Sequence, residues 1–180
     1  MTIRELEING LIEINLQPAC DFRGFFMRTY DREFFFKHGL EREWVQENHS
    51  RTLLPGTIRG LHIQVSPFSE TKLVRCIRGA VFDVAIDLRP GSATFGTWAS
   101  LELTEDNCKM LYIPRGFAHG FCSLTENCEI VYKVDNVYSP QHERGIIWND
   151  KELNIEWPVH DPILSEKDRS NLTLTHFLRK

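Results

Sequence analysis

A succession of short segments rich in β-branched and aromatic residues fills the middle of the chain and limits its fold more than any other feature. Clusters of glycine, proline, asparagine and serine separate these segments at nearly regular intervals. Segments of this length and spacing predict an all-β fold, an antiparallel sandwich or barrel such as a jelly roll. The predicted strands cover residues 57–64, 72–78, 80–88, 96–103, 110–113, 120–124 and 128–134.

Turn and capping residues divide the strands and mark two short helices. A helix is predicted near residues 31–38, because Asp31 can cap its start and Gly39 can end it. A second short helix is predicted after the capping residue Ser165. Three turn sequences are typical of hairpins, one tight and two longer. They are Arg78-Gly79-Ala80, residues 89–92 and residues 125–127.

Composition and charge restrict the function classes. A chain of 180 residues is most simply one domain, residues 1–180, and the net charge of −4 gives no electrostatic footprint for nucleic acid. No apolar run approaches membrane-spanning length, and the acidic N-terminus is not typical of a secretory signal. The five cysteines are odd in number and lack CxxC spacing, which indicates reduced thiols in a cytoplasmic protein and disfavours a zinc site.

Polar side chains recur on strand faces where a plain sandwich core needs apolar ones. Along residues 82–87, alternation places three apolar side chains on one face, with Asp83 and Asp87 on the other. Tyr132 likewise shares a face with the apolar Ile130. This pattern predicts a barrel whose partly polar interior can hold a polar ligand.

His62, Lys72 and Tyr132, on three separate predicted strands, are the candidate catalytic residues. An imidazole takes and returns protons near neutral pH, so His62 is the candidate general base. Such a base needs an acceptor that fixes its tautomer, and Asp83 and Asp168 both qualify. Lys72 can stabilise an enolate oxygen, and Tyr132 can protonate a carbanion. Together these groups can remove a proton beside a carbonyl and return one to the opposite face.

Three arginines, Arg23, Arg59 and Arg75, are candidates for binding phosphate, because guanidinium groups match phosphate oxygens. Arg59 and His62 stand three residues apart, so they point to opposite faces of a regular strand. A bulge at Gly60 can re-aim one of them into the pocket of the other. The alternative is an arginine supplied by a partner subunit.

The spacing Pro114-x-Gly116-x-x-His119 matches the second sequence motif of the cupins, in which the histidine often binds a metal. The first cupin motif carries His-x-His, whereas Gln64 stands here in place of the second histidine. Because two histidines under-ligate zinc or iron, we expect no metal. His119 is instead expected to form hydrogen bonds in the pocket.

Eight short motifs follow one another along the chain. They are Asp21-Phe22-Arg23-Gly24-Phe25-Phe26 and the segments 46–51, 59–62, 72–75, 82–87, 94–96, 113–121 and 164–168. In order and spacing they resemble the dTDP-4-dehydrorhamnose 3,5-epimerase family, over residues 3–175. The resemblance implies a cupin-type antiparallel jelly-roll barrel with short peripheral helices, a homodimer, and no metal or organic cofactor. It also implies epimerisation, at C3, at C5 or at both, of a nucleotide-linked 4-keto-6-deoxyhexose, whose ketone makes the hydrogens on those carbons acidic.

The resemblance implies a role for each matching position. His62 corresponds to the base with Asp168 as its partner, which favours Asp168 over Asp83. Tyr132 corresponds to the acid, and Lys72 to the group that steadies the enolate. Substrate contacts are implied for Arg23, Gln46, Glu47, Asn48, Arg59, His119, Glu143 and Lys167.

Arg28 departs from the family, whose members usually have glutamate at this position beside the nucleobase; Ile63 and Glu70-Thr71 depart too. Arginine only donates hydrogen bonds, and cytosine offers acceptors at N3 and O2. We therefore hypothesise that Arg28 contacts the base, which makes a CDP-linked 4-keto-3,6-dideoxyhexose, inverted at C5, an alternative to the dTDP-linked substrate. The same residues are also compatible with a 3,4-ketoisomerase and with a non-catalytic sugar-binding cupin.

Overall fold

The computed structural model describes residues 1–179, which form thirteen strands and three short helices. The helices are α1 (Arg32–Lys37), α2 (Glu166–Arg169) and α3 (Leu174–Leu178). The strands are β1 (Thr2–Glu5), β2 (Ile12–Asn15), β3 (Ala19–Asp21), β4 (Gly24–Phe26), β5 (Gln46–Thr52), β6 (Ile58–Gln64), β7 (Lys72–Arg78), β8 (Ala80–Asp87), β9 (Trp98–Thr104), β10 (Lys109–Ile113), β11 (Phe117–Ser123), β12 (Cys128–Val134) and β13 (Glu143–Gly145).

Two antiparallel sheets make up the barrel. One has six strands in the order β1-β2-β10-β7-β12-β5, and the other has five in the order β13-β6-β11-β8-β9. Strands that neighbour each other in a sheet are mostly distant in sequence, as in a jelly roll, so the expected cupin-type barrel with short peripheral helices is confirmed. β3 and β4 form a separate two-stranded ribbon. None of the helices within residues 1–179 has the length and apolar character needed to span a membrane.

All seven predicted strands are present, with ends shifted by at most three residues. Both predicted helices are also present. The Asp31 carboxylate accepts a hydrogen bond from the backbone N–H of Phe34 at 3.1 Å, and Ser165 Oγ accepts one from Asp168 N–H at 3.1 Å. Side-chain caps of this kind satisfy N–H groups that have no partner within a helix.

Two of the three predicted hairpin turns are wrong. Arg78-Gly79-Ala80 joins β7 to β8 and residues 125–127 join β11 to β12, but in each case the two strands lie in different sheets. These corners pack on each other, because a Cβ on Gly79 would lie 2.3 Å from Thr125 Oγ1. A glycine at positive φ serves a sheet-crossing corner as well as a hairpin. Residues 89–92 do connect a paired hairpin, β8–β9.

Three clusters of buried side chains hold the layers together. The first fills the space between the sheets, the second packs the five-stranded sheet against the C-terminal segment, and the third packs α1 against the six-stranded sheet. Val84 and Ile86 belong to the second cluster and Ala85 to the first, so the alternation predicted for residues 82–87 is confirmed. The face of β8 that carries Asp83 and Asp87 therefore points into the barrel.

A β-bulge at Gly60 interrupts the pairing of β6 with β11. His62 lies opposite His119 and Arg59 lies opposite Phe121, so β6 has one extra residue between these pairs. Gly60 has φ +126°, a conformation that residues with a Cβ rarely adopt. The bulge turns Arg59 and His62 into the same cleft, which confirms the expected re-aiming.

Gly60→Ala should destabilise the barrel strongly. The new methyl group would lie 2.6 Å from Gly120 Cα and 2.8 Å from His119 O, in addition to the cost of the positive φ. We expect a loss of about 3 kcal/mol in the free energy of unfolding, measured by urea denaturation. Gly91→Ala is the matched control, because Gly91 has φ +77° and open space where a Cβ would stand. It should lose only about 1 kcal/mol; equal losses would remove the steric role assigned to Gly60.

Candidate active site

A cleft of about 510 Å³ opens between the two sheets. A second cavity of about 340 Å³ adjoins it. His62, Lys72 and Tyr132 line both, so the three predicted catalytic side chains meet where the cavities join. His62 comes from the five-stranded sheet, and Lys72 and Tyr132 come from the six-stranded sheet.

Each of the two candidate aspartates holds a different histidine. His62 Nε2 lies 2.6 Å from Asp168 Oδ1, and His119 Nε2 lies 2.9 Å from Asp83 Oδ1. Because Asp168 accepts from Nε2, Nδ1 of His62 is the nitrogen left to accept a proton. The choice of Asp168 for His62 therefore agrees with the geometry, and Asp83 belongs to a second histidine–aspartate pair.

The α2 cap brings Asp168 to His62. Its backbone N–H bonds to Ser165 while its carboxylate bonds to the imidazole, so the residue joins the C-terminal segment to β6. Burial raises the pKa of Asp168, but the hydrogen bond and charge of His62 outweigh burial and leave this pKa below its ordinary value. The carboxylate is therefore ionised at neutral pH.

Lys72 and Tyr132 face the same space, and each has acidic residues nearby. Lys72 Nζ lies 3.3 Å from Glu70 Oε1, and both side chains are nearly buried. Burial raises the pKa of the Tyr132 phenol, and the negative charges of Glu70 and Glu143 raise it further. The phenol is therefore protonated at neutral pH and can donate a proton.

Several of the expected substrate-contacting residues surround this centre. Arg59 lines the larger cavity and donates to Thr52 Oγ1 at 2.9 Å. Glu143 accepts hydrogen bonds from Lys167 Nζ at 2.5 Å and from the Tyr138 hydroxyl at 2.8 Å. Of the predicted set, the structure brings together around the two cavities Gln46, Asn48, Arg59, His119, Glu143 and Lys167.

Tyr138 is a cavity residue that the sequence analysis missed. It lies in the irregular segment between β12 and β13, and its backbone N–H donates to Gln46 Oε1 at 2.7 Å. The hydrogen bond to the Glu143 carboxylate raises the pKa of its phenol. An aromatic residue in a polar loop is too common to signal such a position by itself.

Four predicted residues lie outside the cleft of their own chain. Arg23 is at the exposed turn of the β3–β4 ribbon, and Arg28 pairs with Asp31 at 3.1 Å near the start of α1. Glu47 lies on the face of β5 opposite to the cleft, where it pairs with Lys133. Arg75 lies on the outer face of the six-stranded sheet.

Comparisons with known proteins point to one family. The model of the family described as dTDP-4-dehydrorhamnose 3,5-epimerase matches residues 5–176. Relatives with that name from Pseudomonas aeruginosa and Shigella flexneri are 50% and 47% identical, over 94% and 93% of this chain and 93% of each relative. The solved enzyme from Bacillus anthracis, with TDP and pyrophosphate bound, superposes with a TM-score of 0.94 at 43% identity, covering 96% of this chain and 99% of that one.

A second solved structure, the Legionella pneumophila enzyme in complex with dTDP-4-keto-L-rhamnose, has a TM-score of 0.92 at 38% identity. It covers 97% of this chain and 93% of that chain. The cupin-type barrel and its relatives define an isomerase that acts on nucleotide-linked sugars. The chain belongs to the dTDP-4-dehydrorhamnose 3,5-epimerase family.

The lowered pKa of Asp168 gives folding stability a defined pH dependence. An unfolded aspartate titrates near about 3.9. Because the folded pKa is lower, the contribution is fully present above that value and is lost as the pH falls through the folded pKa. Wild type should exceed Asp168→Asn by about 1–3 kcal/mol in the free energy of unfolding near neutral pH, with the gap closing below about pH 4.

Urea denaturation at a series of pH values measures this gap. The exposed Asp161 provides the control, since Asp161→Asn should show no gap that closes in acid. A gap for Asp168→Asn that stays constant down to the acid limit would contradict an ionised Asp168 carboxylate bonded to His62.

Proposed function

We propose that the chain epimerises C3 and C5 of a dTDP-linked 4-keto-6-deoxyhexose, with the whole of residues 1–180 acting as one epimerase domain. The observation that carries this proposal is the His62–Asp168 pair sharing one cleft with Tyr132 and Lys72. The substrate class follows the names of the relatives, which are dTDP-4-dehydrorhamnose 3,5-epimerases.

His62 acts as the base in this mechanism. Asp168 accepts the Nε2 proton, so Nδ1 removes the proton from the carbon beside the C4 ketone. The ionised aspartate stabilises the imidazolium that forms. The bonding electrons of the broken C–H bond move into the ketone and give an enolate.

Lys72 and Tyr132 complete each inversion. The ammonium of Lys72 stabilises the enolate oxygen, where negative charge develops. The Tyr132 phenol then gives its proton to the same carbon from the other side of the ring. His62 loses its proton to solvent and Tyr132 regains one, so the residues return to their starting states and no net electrons are transferred. The same cycle at the second carbon inverts that centre.

Arg59 and the other polar residues that line the two cavities are proposed to hold the rest of the substrate. Arg59 carries a fixed positive charge into the larger cavity, where it suits a diphosphate oxygen. His119, oriented by Asp83, offers a hydrogen-bonding nitrogen on the same wall. Polar contacts to the sugar and nucleotide are assigned to Gln46, Asn48, Glu143 and Lys167.

The relatives favour this function over a ketoisomerase or a binding module. They are named epimerases, and the relatives at 42–50% identity are 3,5-epimerases. The CDP-linked alternative depends on Arg28, which in its own chain is paired with Asp31 outside the cleft. The names of the relatives favour a dTDP-linked sugar instead. The five free thiols fit the reducing interior of a cell, so we propose a cytoplasmic location.

We further propose a homodimer in which the β3–β4 ribbon of one subunit completes the cleft of the other. The ribbon is unpaired with either sheet and exposes three phenylalanines, Phe22, Phe25 and Phe26. Exposed apolar groups of this kind are typical of protein interfaces. The arrangement would bring Arg23 and Arg28 to a substrate that they do not reach in their own chain, and Glu47 to the interface.

Substitution of the base and of the acid should separate proton removal from inversion. In deuterated buffer, His62→Ala should lose solvent deuterium incorporation at both carbons, by at least about 10³-fold. Tyr132→Phe should retain measurable incorporation with retained stereochemistry, because proton removal persists while the opposite-face donor is missing. Full epimerase activity in His62→Ala would falsify the base assignment.

Mixing two inactive variants tests the shared cleft. An Arg23→Ala subunit has an intact His62 but a defective ribbon, and a His62→Ala subunit has the reverse. Refolded together in equal amounts, they should regain about a quarter of wild-type activity, since half of the dimers are mixed and each has one intact site. If Arg23 serves its own chain, the mixture should remain as inactive as the separate variants.

A further inference from the structure

The side chain of Gln64 is buried and bonds to two separate segments at the edge of the cleft. It stands two residues after His62 on β6 and is 4% exposed. Its Nε2 lies 3.1 Å from the carbonyl oxygen of Phe68, 3.0 Å from Glu70 Oε2 and 3.2 Å from the carbonyl oxygen of Val137. This is the position at which a metal-binding cupin has its second histidine.

The hydrogen bond from the Gln64 amide to Glu70 supports Lys72 indirectly. Gln64 bonds to one oxygen of the Glu70 carboxylate, and the other oxygen lies 3.3 Å from Lys72 Nζ. Both members of the ion pair are nearly buried, so neither can turn freely to another partner. The direction in which Lys72 presents its charge therefore depends on how Gln64 holds Glu70.

Two other hydrogen bonds of the Gln64 amide support the segment that carries Tyr138. Gln64 donates to the carbonyl of Val137 and accepts from Ser139 N–H at 2.6 Å, so it holds the residues on both sides of Tyr138. Glu143, which accepts from the Tyr138 hydroxyl, is paired with Gln64 in the β13–β6 register. The Gln64 amide therefore fixes the backbone on both sides of Tyr138, at the edge of the cleft.

We propose that Gln64 is a positioning residue that couples Lys72 to the Tyr138 segment through one buried amide. The inference rests on the proposed epimerase function. Only a side chain with N–H donors and a carbonyl acceptor suits this set of partners: three acceptors share the two hydrogens of Nε2, and one N–H faces Oε1. A glutamate would direct an oxygen at three acceptors, and an apolar residue would remove the hydrogen bonds to one Glu70 oxygen and to the Ser139 N–H.

Gln64→Met tests the proposal, because methionine keeps the length of the side chain and removes both polar ends. The rate of deuterium incorporation should fall about tenfold as Lys72 loses its fixed direction, and KM should rise several-fold as the Tyr138 segment loosens. Asn107→Leu is the matched control, since Asn107 is also an amide that bonds to a turn, between β9 and β10, away from the cleft. It should lower Tm and leave KM and incorporation unchanged.

Two double variants test the coupling itself. In a Glu70→Gln background, Gln64→Met should have a smaller fold-effect on incorporation than in wild type, because the link to Lys72 is already broken. In a Tyr138→Ala background its fold-effect on KM should shrink likewise. Fold-effects that simply multiply in both backgrounds, or a Gln64→Met variant that behaves like Asn107→Leu, would overturn the proposal.

Backbone hydrogen exchange gives a readout that needs no turnover. The Glu70 side chain bonds to Gln64 and pairs with Lys72, whereas the Ser139 amide donates to Gln64. Glu70→Gln should therefore speed exchange of the Ser139 amide, within segment 135–142, if Gln64 transmits the change. Asn107→Leu should not. Exchange in this segment that is unaffected by Glu70→Gln would contradict the coupling. A wild-type chain that incorporates no deuterium from solvent would refute the epimerase function and leave the exchange result to decide the role of Gln64.

Discussion

The hydrogen bond between His62 and Asp168 is the contact on which the cleft depends. It joins a strand of the barrel to a four-residue helix near the C-terminus, across 106 positions of sequence. Two local devices make it possible. The bulge at Gly60 turns His62 toward the interior, and the Ser165 cap starts α2 so that the Asp168 carboxylate reaches the imidazole.

The strands that were predicted share one property, a run of β-branched and aromatic side chains that pack on at least one buried face. β5, Gln46–Thr52, has no such run, because its inward side chains line the polar cleft and its outward ones are polar or charged. It was therefore missed. Local sequence patterns also could not assign each strand to a sheet, because the corner at Gly79 has the residue types that are typical of a hairpin.

Residue chemistry alone made His62, Lys72 and Tyr132 candidates for catalysis, because few side chains can move a proton beside a ketone. It left Asp83 and Asp168 as equal candidates, and the family resemblance favoured the second. The structure explains why both qualified: each aspartate orients a histidine on the same cleft wall. Gln64 and Tyr138 carried no such signal, because both are common residue types and their partners come from segments distant in sequence.

The two sheets of the barrel carry different residues of the proposed mechanism, the base on one sheet and the acid on the other. His62 belongs to the five-stranded layer and Tyr132 to the six-stranded layer, and facing layers of a β-sandwich stand about 10 Å apart. A pyranose ring lying flat in that gap presents one side to each layer. In the proposed mechanism the architecture sets the configuration at carbon, because the proposed base and the proposed acid stand on opposite walls of the cleft.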